Sequence, residues 1–197
     1  MAKHIHLVRH GHHALLGRVL CGRMPGVQLD ALGCRQMAAV AEIIRQAAPS
    51  VLQSSPQRRA LQSAGIVGAR CGLPVEIAAA FDEIDMGEWT GAGFSDLASE
   101  QAWQRWNDSR GSTRPPRGES MLALQSRVIG HIEQLGGSAG PIVIVSHAEP
   151  IRAALMHYLS VPLDDFQSVA VGLASISTIS IEGQRGYVSR LNGEVAA

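Results

Sequence analysis

The order of apolar patterns along the chain predicts an α/β fold, a three-layer sandwich with a mainly parallel central sheet flanked by helices. Two observations carry this expectation. Short apolar runs bounded by turn residues alternate with longer segments of helical period, the pattern left by strands joined through crossover helices. One run, Pro141-Ile142-Val143-Ile144-Val145-Ser146, is apolar almost without a break, as strands covered on both faces are.

The elements follow in order. Residues 4–8 read as a strand entering a buried sheet. Asp30 can cap a helix that runs through Met37, Val40, Ile43 and Ile44 to about residue 48, with Pro49 as its stop. Residues 51–54 are a second short strand. A helix is expected over 56–70, with Pro56 suited to its first turn and Gly72 just past its end. Residues 73–78 supply a third strand. The strand at 141–146 leads into a helix over 150–159. Ser and Thr then alternate with Ile over 174–181, a late strand with 187–191 as its partner. Residues 86–119, with Trp89, Trp103, Trp106 and the loop Gly111-Ser112-Thr113-Arg114-Pro115-Pro116-Arg117-Gly118, break the alternation. They are expected as an insertion over the active site within one domain spanning 1–197, a length that suits a single sizeable core.

Composition excludes several classes. Seventeen basic and seventeen acidic residues balance, which gives no field to attract nucleic acid or an anionic membrane. No apolar stretch approaches the roughly 18 residues of a membrane span. The N-terminal apolar run is too short and too soon charged for a signal-peptide core. Cys21, Cys34 and Cys71 are an odd, widely spaced set that suggests neither a disulfide framework nor a structural zinc site. A cytoplasmic location is the expectation; a homodimer is left open.

In such folds ligands sit outside the carboxyl ends of strands, and three polar clusters fall there: Arg9-His10-Gly11, the stretch from Ser54 to Arg59, and Ser146-His147. Two histidines and two arginines would converge on one crevice. A neutral imidazole can attack phosphorus and hold the phosphoryl group covalently. The charge on that group calls for arginine forks and a helix N-terminus; Arg9, Arg59 and the backbone around Ala148 fit. Gly11 lets the chain pass close to a substrate. A leaving oxygen needs a proton from a carboxyl of raised pKa. Glu83 is the candidate, with Asp82, Asp85 and Glu88 close by.

Four ordered motifs give the chain a resemblance. Leu7-Val8-Arg9-His10-Gly11, Ser55-Pro56-Gln57-Arg58-Arg59-Ala60, Glu83 ahead of Gly87-Glu88-Trp89-Thr90-Gly91, and Val145-Ser146-His147 followed by Ile151-Arg152 resemble the histidine phosphatase superfamily, the phosphoglycerate-mutase-like proteins. The resemblance implies that His10 is phosphorylated, that Arg9 and Arg59 clamp phosphate, that Glu83 is the acid and that His147 is the second pocket histidine. It further implies substrate contact by Cys21-Gly22-Arg23 and a helix opening at Gly118-Glu119-Ser120 ahead of Arg127. The chain departs from the family after Gly11. Where many members carry an acidic or amide residue and then a polar Asn or Thr, it has His12, His13, Leu15 and Leu16. Ala148-Glu149 stands where paired glycines are common, and Glu149 is expected to repel highly anionic substrates.

The activity implied is a metal-independent phosphatase acting on a small-molecule phosphate ester, with no cofactor. Its runner-up is a cofactor-dependent phosphoglycerate mutase, against which the short segment between Gly91 and Gly118 argues. A non-catalytic phospho-ligand module is the alternative from another class. The histidines at 4, 6, 10, 12 and 13 invite a metal-binding scaffold, but two ligands on one strand face do not make a zinc site. His12 and His13 are expected at the pocket mouth, and the three tryptophans as packing for the insertion, with one of them open to covering an organic substrate group.

Overall fold

The computed structural model describes residues 2–135, 139–183 and 185–193. Six strands form one sheet: β1 (Lys3–Arg9), β2 (Val51–Ser54), β3 (Glu76–Ile77), β4 (Ile142–Ser146), β5 (Ile176–Glu182) and β6 (Arg185–Gly193). Their order is β3-β2-β4-β1-β5-β6. The pairings β2–β3, β2–β4 and β1–β4 are parallel, whereas β5 runs antiparallel to both β1 and β6. Five strands therefore share one direction and β5 opposes them, so the mainly parallel expectation holds.

Alternation divides the core into two apolar clusters, one on each face of the sheet. Val8, Val143 and Val145 pack with Met37, Val40 and Ile44 of α1 (Ala31–Gln46) and Ala64 and Val67 of α2 (Arg58–Cys71). Ile5, Leu7, Ile142 and Ile144 pack with α5 (Met121–Gln134) and α6 (Ala148–Leu159). All five residues of β4 are buried, as its unbroken apolar run required. Between β3 and α5 lie α3 (Phe94–Leu97) and α4 (Gln101–Asp108). Trp89, Leu97 and Trp106 join the α5/α6 cluster, and Trp103 stacks edge-on to Trp89 with ring centres 5.3 Å apart.

Several boundaries differ from expectation for local reasons. Asp30 caps α1 by accepting from the Gly33 N–H, as expected. In α2 the extended Gln57 is the cap, so Pro56 lies just outside the first turn, and Gly72 ends the helix at φ +69°. The third strand shrinks from 73–78 to two exposed residues, because it is the sheet edge and pairs only with Gln53 and Ser54. α6 starts at Ala148, two residues earlier than expected, with Pro150 inside its first turn, where a missing N–H costs nothing. Ser120 caps α5 by accepting from the Ala123 N–H. Among the described residues, no helix is long and apolar enough to cross a membrane.

Candidate active site

The register of β1 against β4 builds the site. Arg9 stands opposite Ser146, so the next residues, His10 and His147, emerge side by side at the carboxyl ends of adjacent strands. Their rings lie 5.1 Å apart, edge to face. On the other side of β4, Ser54 pairs with Val145, which brings Ser55 and the first turn of α2 to the same end. In α2 the buried stripe is Arg59, Ala60, Ser63, Ala64, Val67 and Gly68. Arg59 thus faces the crevice, while Arg58 is exposed.

A cavity of about 170 Å³ opens there, lined by Arg9, His10, His13, Arg59, Glu83 and Glu149, among others. Apolar side chains of Leu16, Val19, Leu20, Met86 and Phe94 make up much of the remaining wall. Of the expected substrate-binding residues, Cys21, Gly22 and Ala148 line it as well. Arg23 does not. Its Nε donates to the Glu83 carbonyl at 2.7 Å and its Nη2 to Glu119 Oε2 at 3.1 Å.

His10 is buried, and its Nδ1 lies 2.8 Å from the Gly11 carbonyl oxygen. That oxygen can only accept, so Nδ1 carries the proton and Nε2 keeps a lone pair. Burial, then the charges of Arg59 and Arg9, hold the ring well below the usual histidine range and therefore neutral. Arg59 is buried, with its Nε 3.3 Å from His10 Nε2 and its Nη2 donating to the Gly22 carbonyl at 2.8 Å. Its Nη1 is buried without a partner among the described residues, as is Nε of Arg9. Each arginine thus carries a buried donor with no acceptor. Gly11 is fixed by packing: a Cβ there would lie 2.5 Å from the Gly33 carbonyl oxygen at the start of α1.

His147 Nε2 lies 2.7 Å from Ser55 Oγ, which also reaches Asp82 Oδ1 at 3.2 Å. In the sequence Ser55 stands only as the start of the arginine motif and Asp82 only as a carboxylate close to Glu83. They orient the second histidine, whose Nδ1 is buried without a partner among the described residues. Burial first, then Arg59 and His10, keep His147 neutral too.

Glu83 is pushed up to about 7, by burial first and then by the charge of Glu149. Its neighbours do not share that placement on the cavity wall: Asp82 meets Ser55 and Gln57, and Glu88 is exposed. Its backbone is pinned by Arg23 and by Arg127, whose Nη2 donates to the carbonyls of Asp82 and Glu83 while its Nε pairs with Glu119 at 2.7 Å. This gives Glu119 and Arg127, noticed in the sequence only as a motif, a physical role as a brace for the Glu83 loop.

Glu149 is less a free charge than expected. It pairs with Arg152 at 2.5 Å and with Arg110 at 3.0 Å. Burial raises it, but Arg152 and Arg110 outweigh that and hold it below the usual carboxylate range. Arg110 comes from just past α4 and lies between the rings of Trp106 and Phe166, 3.8 and 3.4 Å from their centres.

The N-terminal histidines fall in separate places. His4 and His6 meet Ser180 and Thr178 across the β1–β5 ladder, and His12 meets Asp30. His13 alone of these joins His10 at the cavity, with ring centres 5.4 Å apart. None of the three tryptophans is among the lining residues; Phe94 is.

The sequence matches the family model of the histidine phosphatase superfamily (branch 1) over residues 5–194. A glucosyl-3-phosphoglycerate phosphatase of Mycolicibacterium vanbaalenii is 31% identical over 190 residues, covering 89% of this chain and 81% of the relative. Phosphoserine phosphatase 1 of Hydrogenobacter thermophilus is 28% identical, covering 87% of this chain and 84% of that one. Among solved structures, a mycobacterial glucosyl-3-phosphoglycerate phosphatase in complex with VO3 is similar at a TM-score of 0.88 and 26% identity, over 98% of this chain and 100% of that chain. The cavity at the carboxyl ends of β1 and β4 therefore lies in a chain that belongs to the histidine phosphatase superfamily.

Proposed function

We propose that the protein is a phosphatase that hydrolyses a small-molecule phosphate monoester through a phosphohistidine at His10, without a metal or cofactor. The observation that carries this reading is the state of His10: a buried, neutral imidazole whose proton is held on Nδ1 by Gly11, with its Nε2 lone pair beside Arg59. That lone pair attacks phosphorus, and the ester P–O bond breaks with its electron pair on the alcohol oxygen. Glu83, which is protonated below about pH 7, gives that oxygen a proton. Water then attacks the phosphohistidine as the Glu83 carboxylate takes up its proton, the P–N bond breaks, and inorganic phosphate leaves.

Arg9 and Arg59 supply donors to the phosphoryl oxygens, along with the unpaired N–H groups of the α6 N-terminus at Ala148. His147, held by Ser55, stands edge-on to the His10 ring and fixes its position. The enclosed volume is small beside the roughly 300–1,000 Å³ of drug-sized sites, which suits a phosphoryl group with a compact alcohol. Residues 86–119 act as an insertion that contributes Met86 and Phe94 to the wall of this single-domain enzyme. Three free thiols fit a cytoplasmic location.

A panel of phosphate monoesters tests the reading, run with the wild type and His10→Ala in the presence of a chelator. Turnover by the wild type and its loss by a factor of at least 10³ in the variant are expected. Unchanged activity in His10→Ala would remove the nucleophile, and abolition by chelator would sink the metal-independent mechanism. With 3-phosphoglycerate and 2,3-bisphosphoglycerate, free phosphate is expected ahead of 2-phosphoglycerate.

A further inference from the structure

We infer that His13 is a phosphate-binding residue whose imidazole N–H donates to a phosphoryl oxygen beside His10. The inference deepens the phosphatase reading and rests on it.

The loop after Gly11 contributes His13, Leu16, Val19 and Leu20 to the cavity wall. Only the first of these carries a polar side chain. His13 is 4% exposed, and its ring lies 5.4 Å from that of His10 at an interplanar angle of 39°. His4, His6, His10 and His12 each have a hydrogen-bond partner at a ring nitrogen. The His13 ring has none among the described residues, and its Nδ1 is buried and unpaired.

A neutral imidazole carries one N–H and one lone pair. Leaving such a group buried and unpaired costs far more than leaving it in water. The groups around it are Arg59, His12 and Arg9, with Asp30 opposing them; burial first and then the charge of Arg59 hold His13 down to about 4. It is therefore a neutral donor at physiological pH. It adds a hydrogen bond to the phosphoryl group without adding a third full positive charge to a pocket that already holds two arginines. The acceptor that would satisfy it is the ligand: a phosphoryl oxygen offers lone pairs and no competing proton.

Two substitutions separate this role from mere packing. His13→Asn keeps an N–H near the Nδ1 position and loses the ring; His13→Phe keeps the ring and loses the N–H. The readout is the inhibition constant for inorganic phosphate against ester hydrolysis. His13→Phe is expected to weaken inhibition about tenfold to a hundredfold, the range for one hydrogen bond to a charged group. His13→Asn should stay within about threefold of the wild type. The reverse pattern, or two variants that both match the wild type, would overturn the inference while leaving the phosphatase reading in place. A wild type that phosphate does not inhibit would overturn both. Should His13→Phe fail to fold, nitrogen-15 NMR of histidine-labelled wild type titrated with phosphate decides the matter. A shifted His13 resonance supports the contact, and an unmoved one refutes it.

Discussion

Glu83→Gln isolates one proton. The wild-type carboxyl is pushed up from 4.5 to about 7, by desolvation first and then by the Glu149 charge, so its ionised form is disfavoured in the fold. The sign follows from linkage. Below pH 4.5 the group is protonated in both folded and unfolded chains, and it costs nothing. Between 4.5 and about 7 the unfolded chain ionises first and stability is lost; above about 7 the loss is complete. The shift corresponds to roughly 3 kcal/mol. Glutamine cannot ionise, and its Oε1 can still accept from the Ile84 N–H that Glu83 Oε1 meets at 2.9 Å. The variant should therefore melt several degrees above the wild type at pH 8.5 and level with it at pH 4.5. Activity moves the other way. Loss of a general acid costs about 10²- to 10⁴-fold on an alkyl phosphate and much less on p-nitrophenyl phosphate, whose phenolate departs without a proton. Thermal unfolding at two pH values and kcat/KM on two esters measure both effects. Equal losses on the two esters would refute Glu83 as the acid, and equal melting at pH 8.5 would refute the stored electrostatic cost.

Two further predictions come from the neighbours of the acid and the nucleophile. The fall in kcat/KM as pH rises through about 7 should shift to lower pH in Glu149→Gln, because that charge raises Glu83; an unmoved limb would mean the limb is not Glu83. The same variant leaves the buried Arg110 with no carboxylate, and urea unfolding should show a loss of about 3 kcal/mol. Gly11→Ala would put a methyl 2.5 Å from a backbone oxygen of α1. Forcing β1 and α1 apart should cost about 1–3 kcal/mol in thermal unfolding and about a hundredfold in kcat through displacement of His10; a variant with wild-type kcat would show that the approach is not what positions the ring.

The sheet was legible where burial was complete and blurred where it was not. The run at 141–146 could only be a strand covered on both faces, and it became the fully buried β4. The apolar stripe from Met37 to Ile44 and its Asp30 cap fixed α1 for the same reason. At the edge the pattern misled. Leu73 to Ala78 has the composition of a strand, yet just Glu76 and Ile77 find partners, because pairing at an edge depends on how far the neighbouring β2 extends. The antiparallel turn of β5 against β1 was equally invisible, since periodicity records alternation and says nothing of direction.

In the site, residues that act within their own motif were readable, and those that act across the chain were not. His10 and Gly11 are adjacent, so the carbonyl that fixes the imidazole comes with the motif. Ser55 reaches His147 across 92 positions, and Arg23 reaches the Glu83 loop across 60; no spacing rule links such pairs. Glu149 shows why this matters for function. As a bare carboxylate at a phosphate pocket it reads as a repulsive defect. With Arg152 one turn away and Arg110 delivered by the segment after α4, the same carboxylate becomes the centre of a buried ion-paired cluster. Its remaining field falls on Glu83, which it helps keep protonated. A carboxylate that looks hostile to phosphate binding thus holds Arg110 of the insertion in a buried ion pair and raises Glu83.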